Sequence, residues 1–363
     1  MTATGSSLAV LVGTRKGGFI FRGGIDRRSW TADEPFSKGN QVHHVAADDR
    51  SGRWFAAVSS EIWGSALWIS DDRGRNWSEI KTPPRFADGD ERSLKKIWNI
   101  RPGRPAEKDV IYAGVEPAAL FRSADNGETW TEMESLGKHE TRDKWFPGAG
   151  GLIAHSIVLH PSIPNRMWVA ISAAGTFRTD DGGKSWVPRN KGVRADFLPD
   201  PFPPVGQCVH KLVAHPKHPD VLFQQNHCGV YRSDNGGDDW VDLCDNLPAR
   251  FGFPMAVHPH KPQTVYVIPE ESDQARVTVG GRLAVWRSDD GGAAWRELNK
   301  GLPSRGSYQN VLREAMAVDQ QPTAGIYFGT ATGQLCGSLD EGESWQVIAE
   351  WLPPIYSVEV ATY

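Results

Sequence analysis

Cysteine is scarce, four in 363 residues, too few for the disulfide framework that staples small secreted chains. No stretch approaches the roughly 18 consecutive apolar residues of a membrane span. An excess of either charge is missing too: 40 Lys and Arg stand against 44 Asp and Glu, a net charge of −4. That balance offers no electrostatic footprint for nucleic acid or for an anionic membrane, and neither is expected as a partner. There is no phosphate-cradling G-x-x-x-x-G-K-[ST] loop, no G-x-S-x-G elbow, no H-E-x-x-H and no paired C-x-x-C. A nucleotide cofactor and several common enzyme classes are therefore not expected. Met1 to Ser7 carry no basic residue, which argues against a signal peptide; the expected compartment is the cytoplasm.

What the chain has instead is a phrase repeated six times. It reads Ser70-Asp72-Gly74-Trp77, Ser123-Asp125-Gly127-Trp130 and Thr179-Asp181-Gly183-Trp186. It continues as Ser233-Asn235-Gly237-Trp240, Ser288-Asp290-Gly292-Trp295 and Ser338-Asp340-Gly342-Trp345. Successive copies lie 50 to 56 residues apart. Before most copies stands a short apolar run such as Ala66-Leu67-Trp68-Ile69 or Ala119-Leu120-Phe121, rich in the aromatic and β-branched residues of strands. A period near 50 with β-type sequence reads as a propeller, one blade per repeat. The Asp-x-Gly core reads as a tight turn in which the acid accepts backbone N–H bonds and glycine takes a positive φ. The closing Trp then buries its ring between blades. Six equal copies point to a structural device rather than a catalytic one.

With its S-x-D-x-G-x-x-W phrase, the chain resembles the BNR or Asp-box family over nearly its whole length. That family includes sialidases, other glycosidases, sortilin-type receptors and photosystem assembly factors. The resemblance implies a propeller and leaves the activity open, because one fold hosts many functions. Sialidases of the family resemble six-bladed rings with three sugar-binding arginines. Arg15, Arg142, Arg194 and Arg313 do not align with such a triad, so sialidase activity is not expected.

Seven blades are expected. Leu8 to Val12 and Gly18 to Phe21 read as the second and third strands of a partial first blade, Trp30 opens its fourth, and Gly23-Gly24-Ile25-Asp26-Arg27 is a degenerate turn. Tyr356 to Val360 then supplies the missing first strand and closes the ring. Closure removes the sheet edges that invite aggregation, and residues 1–363 read as one all-β domain.

Function is expected on the face opposite the phrase, where the loops into first strands and those between second and third strands converge. The segments 81–95, 133–154, 187–208 and 296–311 are long, and 197–206 is a Pro-rich lip. Aligned first strands place His43, Lys96, His155, His210, Phe253 and Glu314 at one leading position in blades two to seven. The intervening loops add Arg15 with Lys16, Glu61, Glu116, His227 and Glu270 with Glu271.

Three readings of this ring stay open. It is a hydrated channel mouth. Or His43, His155, His210 and His227 gather a divalent Zn, Fe or Cu ion. Or it carries out metal-free acid–base chemistry with Glu116, Glu270, Glu314 and Lys96, while Arg15, Arg313 and His227 bind substrate. The leading expectation is an enzyme acting on a small polar molecule or carbohydrate by hydrolysis or elimination. The alternative is a non-catalytic propeller binding a partner protein, which an apolar rim of Trp145, Phe146, Phe197 and Phe202 would favour. Cys208 and Cys228 fall in one blade near this face. His160, His215 and His258, each before a proline, read as turn residues on the far face.

Overall fold

The computed structural model describes residues 7–24, 26–148 and 150–363. Six of the seven N-terminal residues read above for a signal peptide lie outside the described residues. So do Ile25 of the degenerate turn and Ala149 of the loop before blade 4.

Seven antiparallel sheets of four strands form the described chain. With strands lettered a to d from the axis outward, blade 2 runs Gln41–Ala47, Trp54–Ser60, Gly64–Ser70 and Ser78–Glu79. The a strands of blades 3 to 5 are Lys96–Pro102, Ala154–Leu159 and Val209–His215. Those of blades 6 and 7 are Gly252–Val257 and Met316–Val318. Blade 1 takes Ile355–Thr362 as its a strand beside Leu8–Thr14, with Val360 opposite Val10 and Val358 opposite Val12. The a strands touch in cyclic order, blade 7 against blade 1 included. The protein is an all-β seven-bladed propeller closed by its C-terminal strand.

Adjacent blades press both faces of each b and c strand, so these read as nearly continuous apolar runs rather than alternating ones. The largest fully buried side chains lie on them: Trp54, Phe55, Phe121, Trp168, Phe177, Phe223, Tyr231, Tyr266, Tyr327 and Phe328. Rings of this size each remove roughly 150–250 Å² from water, and they make the core an inter-blade one.

The repeated phrase forms each c–d turn of blades 2 to 7. Ser70 Oγ donates to Asp72 Oδ1 at 2.8 Å and accepts the Gly74 N–H at 2.7 Å, and Asp72 Oδ1 accepts the Asn76 N–H at 2.8 Å. The other five copies repeat the glycine bond at 2.7 to 2.9 Å. Gly127 needs its freedom: φ is 90°, and a Cβ there would stand 2.7 Å from Phe55 Cε1. Trp240 Nε1 donates to Arg189 O and Trp295 Nε1 to Leu243 O, each in the preceding blade. On the same face the Nδ1 atoms of His160, His215 and His258 accept N–H bonds from residues two or three further on. They are turn caps.

Candidate functional site at the channel mouth

Most a strands begin with an extra residue. In blade 2 Val42 pairs with Val58 and His44 with Ala57, leaving His43 unopposed. Trp98, His155 and His210 hold that place in blades 3, 4 and 5, and Tyr356 in blade 1. Blade 6 has two unopposed residues, Phe253 and Pro254. A bulge takes its extra side chain out of the regular alternation and re-aims it. Here the re-aimed side chains lie around the ring against neighbouring blades. His43 stacks on Tyr356 with centroids 5.3 Å apart and sits 5.4 Å from Trp98. His210 stacks on Phe253 at 4.6 Å. Arg313 crosses this collar: its guanidinium lies 5.9 Å from the Trp98 ring and 6.0 Å from Phe253, and donates to Ser172 Oγ at 2.7 Å. One side chain leading blade 7 thus touches blades 3, 4 and 6.

Below the collar, the axis is lined one residue further along. Lys211, next to His210, pairs with the buried Glu314. Asn99 Nδ2, next to Trp98, is 3.5 Å from Glu314 Oε2, and His44 Nε2 is 3.9 Å from it. Burial, outweighing the pull of Glu314, holds His44 down to about 4. Burial also pushes Glu359 of the closing strand up to about 7, although Arg101 and Lys211 favour its charge. Lys211, His44, Asn99 and Glu359 are absent from the candidate site residues read from the sequence. The one-residue offset that a bulge imposes hides them.

The imidazoles expected as a metal cluster separate. His155 is fully buried with both nitrogens engaged, Nδ1 at 2.9 Å from Ser156 Oγ and Nε2 at 2.9 Å from Val209 O of the next blade. His43 is packed in the collar, and burial, then Lys96, push it down to about 3. His210 and His227 do come together, ring centroids 5.7 Å apart. Their third companion is Cys208: its Sγ and one nitrogen of each ring lie within 4.8 Å of one another, a set that could hold a metal ion. Cys208 and Cys228 are both free thiols.

The acid–base candidates also differ from one another. Glu116 ends its b strand, accepts the Trp98 indole N–H at 3.2 Å and lies 3.9 Å from Lys95 Nζ. Glu270 is fully buried; Oε1 accepts from Asn310 Nδ2 at 2.7 Å, whereas Oε2 has no partner. Burial pushes its carboxyl up to about 7, against the Asn310 bond. Lys96 opens strand a of blade 3 with its ammonium 5.6 Å from the Trp98 ring, so the collar place of that blade is Trp98, two residues on. Glu314 is spent on Lys211. Arg15 is exposed in the b–c turn of blade 1, its N–H on Pro354 O. Arg142 lies over Trp145, and Arg194 pairs with Asp196.

Around the mouth stands an aromatic rim. Trp63, in the b–c turn of blade 2, is 88% exposed, and Trp351, leading into blade 1, is 91% exposed. Phe146, Phe197, Phe202 and Tyr308, all on d-to-a connections, are exposed as well. Every exposed large aromatic among the described residues is on this face. Trp145 is not one of them: it is buried against Phe177 and His139.

No family model matches the chain. In sequence it is distantly similar to xyloglucanases. A protein named as a probable oligoxyloglucan-reducing end-specific xyloglucanase of Neosartorya fischeri is 24% identical over 273 residues, which are 65% of this chain and 31% of that protein. A xyloglucanase of a Paenibacillus species is 25% identical over 232 residues, covering 60% of this chain and 21% of its own length. The chain thus spans less than a third of the curated relatives it matches. Among solved structures, an ancestral GH74 enzyme superposes with a TM-score of 0.58 at 17% identity, over 89% of this chain and 38% of that one. A structure described as YCF48 bound to D1 peptide gives 0.54 at 14% identity, over 85% and 80%. These likenesses show the fold, and the sequence places the chain at a distance from the xyloglucanases.

Proposed function

We propose that the protein is a carbohydrate-directed propeller that takes an oligosaccharide across the aromatic rim onto the channel mouth. The carrying observation is the confinement of all six exposed aromatics to the face that holds Arg313, Glu116 and Glu270. Exposed apolar patches rimmed by polar groups mark binding surfaces, and flat rings stack on the apolar faces of sugars while polar groups take their hydroxyls. The distant likeness to xyloglucanases supports the same substrate class.

We assign cleavage to Glu270 as acid and Glu116 as base. A carboxyl near 7 is matched to proton donation at neutral pH. Glu270 would protonate the leaving glycosidic oxygen as its C–O bond breaks, and Glu116 would take a proton from the water that attacks the anomeric carbon. Because Glu270 is fully buried, this chemistry requires the residues around its carboxyl to give way to the substrate. The test is reducing-end release from xyloglucan and its oligosaccharides. Wild type should release ends, and Glu270→Gln and Glu116→Gln should each lose at least 100-fold. Equal rates in all three proteins would remove the assignment.

A second reading, docking of a peptide or protein on the same rim, is favoured by one observation. The phenylalanines Phe146, Phe197 and Phe202 offer no polar atom to a sugar. The similarly sized YCF48 structure with its D1 peptide supports that reading. Binding of a peptide partner with no affinity for any oligosaccharide would select it.

A further inference from the structure

Cys208, His210 and His227 form a donor set that the acid–base pair does not use, and of the three only His210 belongs to the collar. Three features prepare it. The His227 backbone N–H donates to Cys208 O at 2.9 Å, so two of the three donors are tied at the main chain. His210 is immobilised by burial, by stacking on Phe253, and by Nδ1 at 2.6 Å from Gly252 O. With Nδ1–H on that carbonyl, the lone pair of His210 is on Nε2. His227 Nε2 lies 3.5 Å from Asp273 Oδ2, which leaves Nδ1 as its free nitrogen. A ligating histidine whose second nitrogen is turned to a carbonyl or carboxylate is the usual outer-shell arrangement of protein metal sites. Two of two histidines here have it.

We propose that Cys208, His210 and His227 bind a single Zn²⁺ ion at the channel mouth. One thiolate and two imidazoles suit this borderline-soft ion, and a fourth tetrahedral position remains for water. Bonds of about 2.0–2.3 Å hold tetrahedral ligand atoms roughly 3.3–3.8 Å apart. Closing the set from within 4.8 Å therefore needs ring and thiol rotations of about 1 Å. On binding, the Sγ–H bond breaks, an Sγ–Zn bond forms, and the proton leaves to solvent. Arg313 and Arg276 stand near the thiol and repel a bare cation, but Cys208 thiolate and Asp273 together neutralise the ion's two charges. His155 and His43 take no part, since the first has both nitrogens bonded and the second is packed against Tyr356.

The site is tested on the full chain, kept reduced with a phosphine and titrated with Co²⁺ and then Zn²⁺. Wild type should give a thiolate-to-cobalt charge-transfer band that saturates at one equivalent and is abolished by Zn²⁺. Cys208→Ser should lose the band. His227→Gln, on a partly exposed residue, should weaken Zn²⁺ at least 100-fold in a chelator competition while its melting temperature in chelator stays that of wild type. Absence of the band in wild type would overturn the proposal. So would Zn²⁺ affinity unchanged in both variants, which would place any bound metal elsewhere.

Discussion

The imidazole Nε2 of His155 lies 2.9 Å from the carbonyl oxygen of Val209, one blade further round the ring. His210 repeats the contact to Gly252 O. In each case a bulged residue reaches the residue just before the next bulge, so these side chains rivet a strands that share no ladder. His155→Ala should leave a buried carbonyl unpaired and lower stability by about 1–3 kcal/mol. Urea unfolding of the variant checks this, and an unchanged midpoint would deny the rivet.

The buried groups predict how stability varies with pH. Folding lowers the pKa of His43, His44, His155 and His210, burial being the first cause in each. Below about 6.5 the unfolded chain therefore binds more protons, and stability decreases as the pH is lowered. That contribution is whole above 6.5 and lost through about 4 for His44 and about 3 for His43. Glu270 and Glu359, raised to about 7, act oppositely: their contribution is whole below the ordinary 4.5 and lost as pH rises through 7. Four imidazoles against two carboxyls give a net fall in melting temperature between pH 6.5 and 4, measurable by calorimetry.

Glu270→Gln separates the two trends. Removing a carboxylate that is ionised and buried at pH 8 should stabilise the protein there by on the order of 1–3 kcal/mol, with little gain at pH 5. A variant that is more stable yet inactive marks a strained functional carboxyl. Equal shifts at both pH values would show that Glu270 has no raised pKa.

Lys211 and Glu314 are predicted to be tightly coupled. Lys211→Met leaves Glu314 buried and uncompensated, with an expected loss of about 3–5 kcal/mol. Adding Glu314→Gln should restore most of it. Additive losses in this double-mutant cycle would show that the pair does not share its energy.

Much of the fold was legible because its determinants are local. Each phrase carries its own acceptor, hydroxyl and glycine, so Ser70, Asp72 and Gly74 announce a turn wherever they stand. The closing strand was legible from a count, Leu8 to Val12 lacking an inner partner. The lining of the channel was less so, because it depends on register. His43, His155 and His210 were found by aligning strand ends, but a bulge consists of one unpaired residue and leaves no local trace. It turned these rings along the collar and gave the axis to His44, Asn99 and Lys211. In blade 3 the alignment fell on Lys96, whereas the structure puts Trp98 in the collar. The sequence places Cys208 with Cys228 in one blade near the channel-mouth face, and only folding shows His210 and His227 beside it. The rim was partly legible: of the four aromatics named as a conditional rim, Phe146, Phe197 and Phe202 are exposed and Trp145 is buried against Phe177.

Ring closure predicts a sharp effect of truncation. Deleting residues 356–363 removes the strand that covers Leu8–Thr14 and exposes an apolar edge. The truncated chain should aggregate or lose cooperative melting. A soluble product with an unchanged melting temperature would contradict the closure.

The central claim is that the aromatic-rimmed face binds carbohydrate, and calorimetric titration with xyloglucan oligosaccharides tests it most directly. Wild type should bind at one site. Trp63→Ala and Trp351→Ala, whose side chains are 88% and 91% exposed and so carry little folding energy, should melt as wild type does while binding at least 10-fold more weakly. Binding that is absent in wild type, or untouched in both variants, would contradict the account.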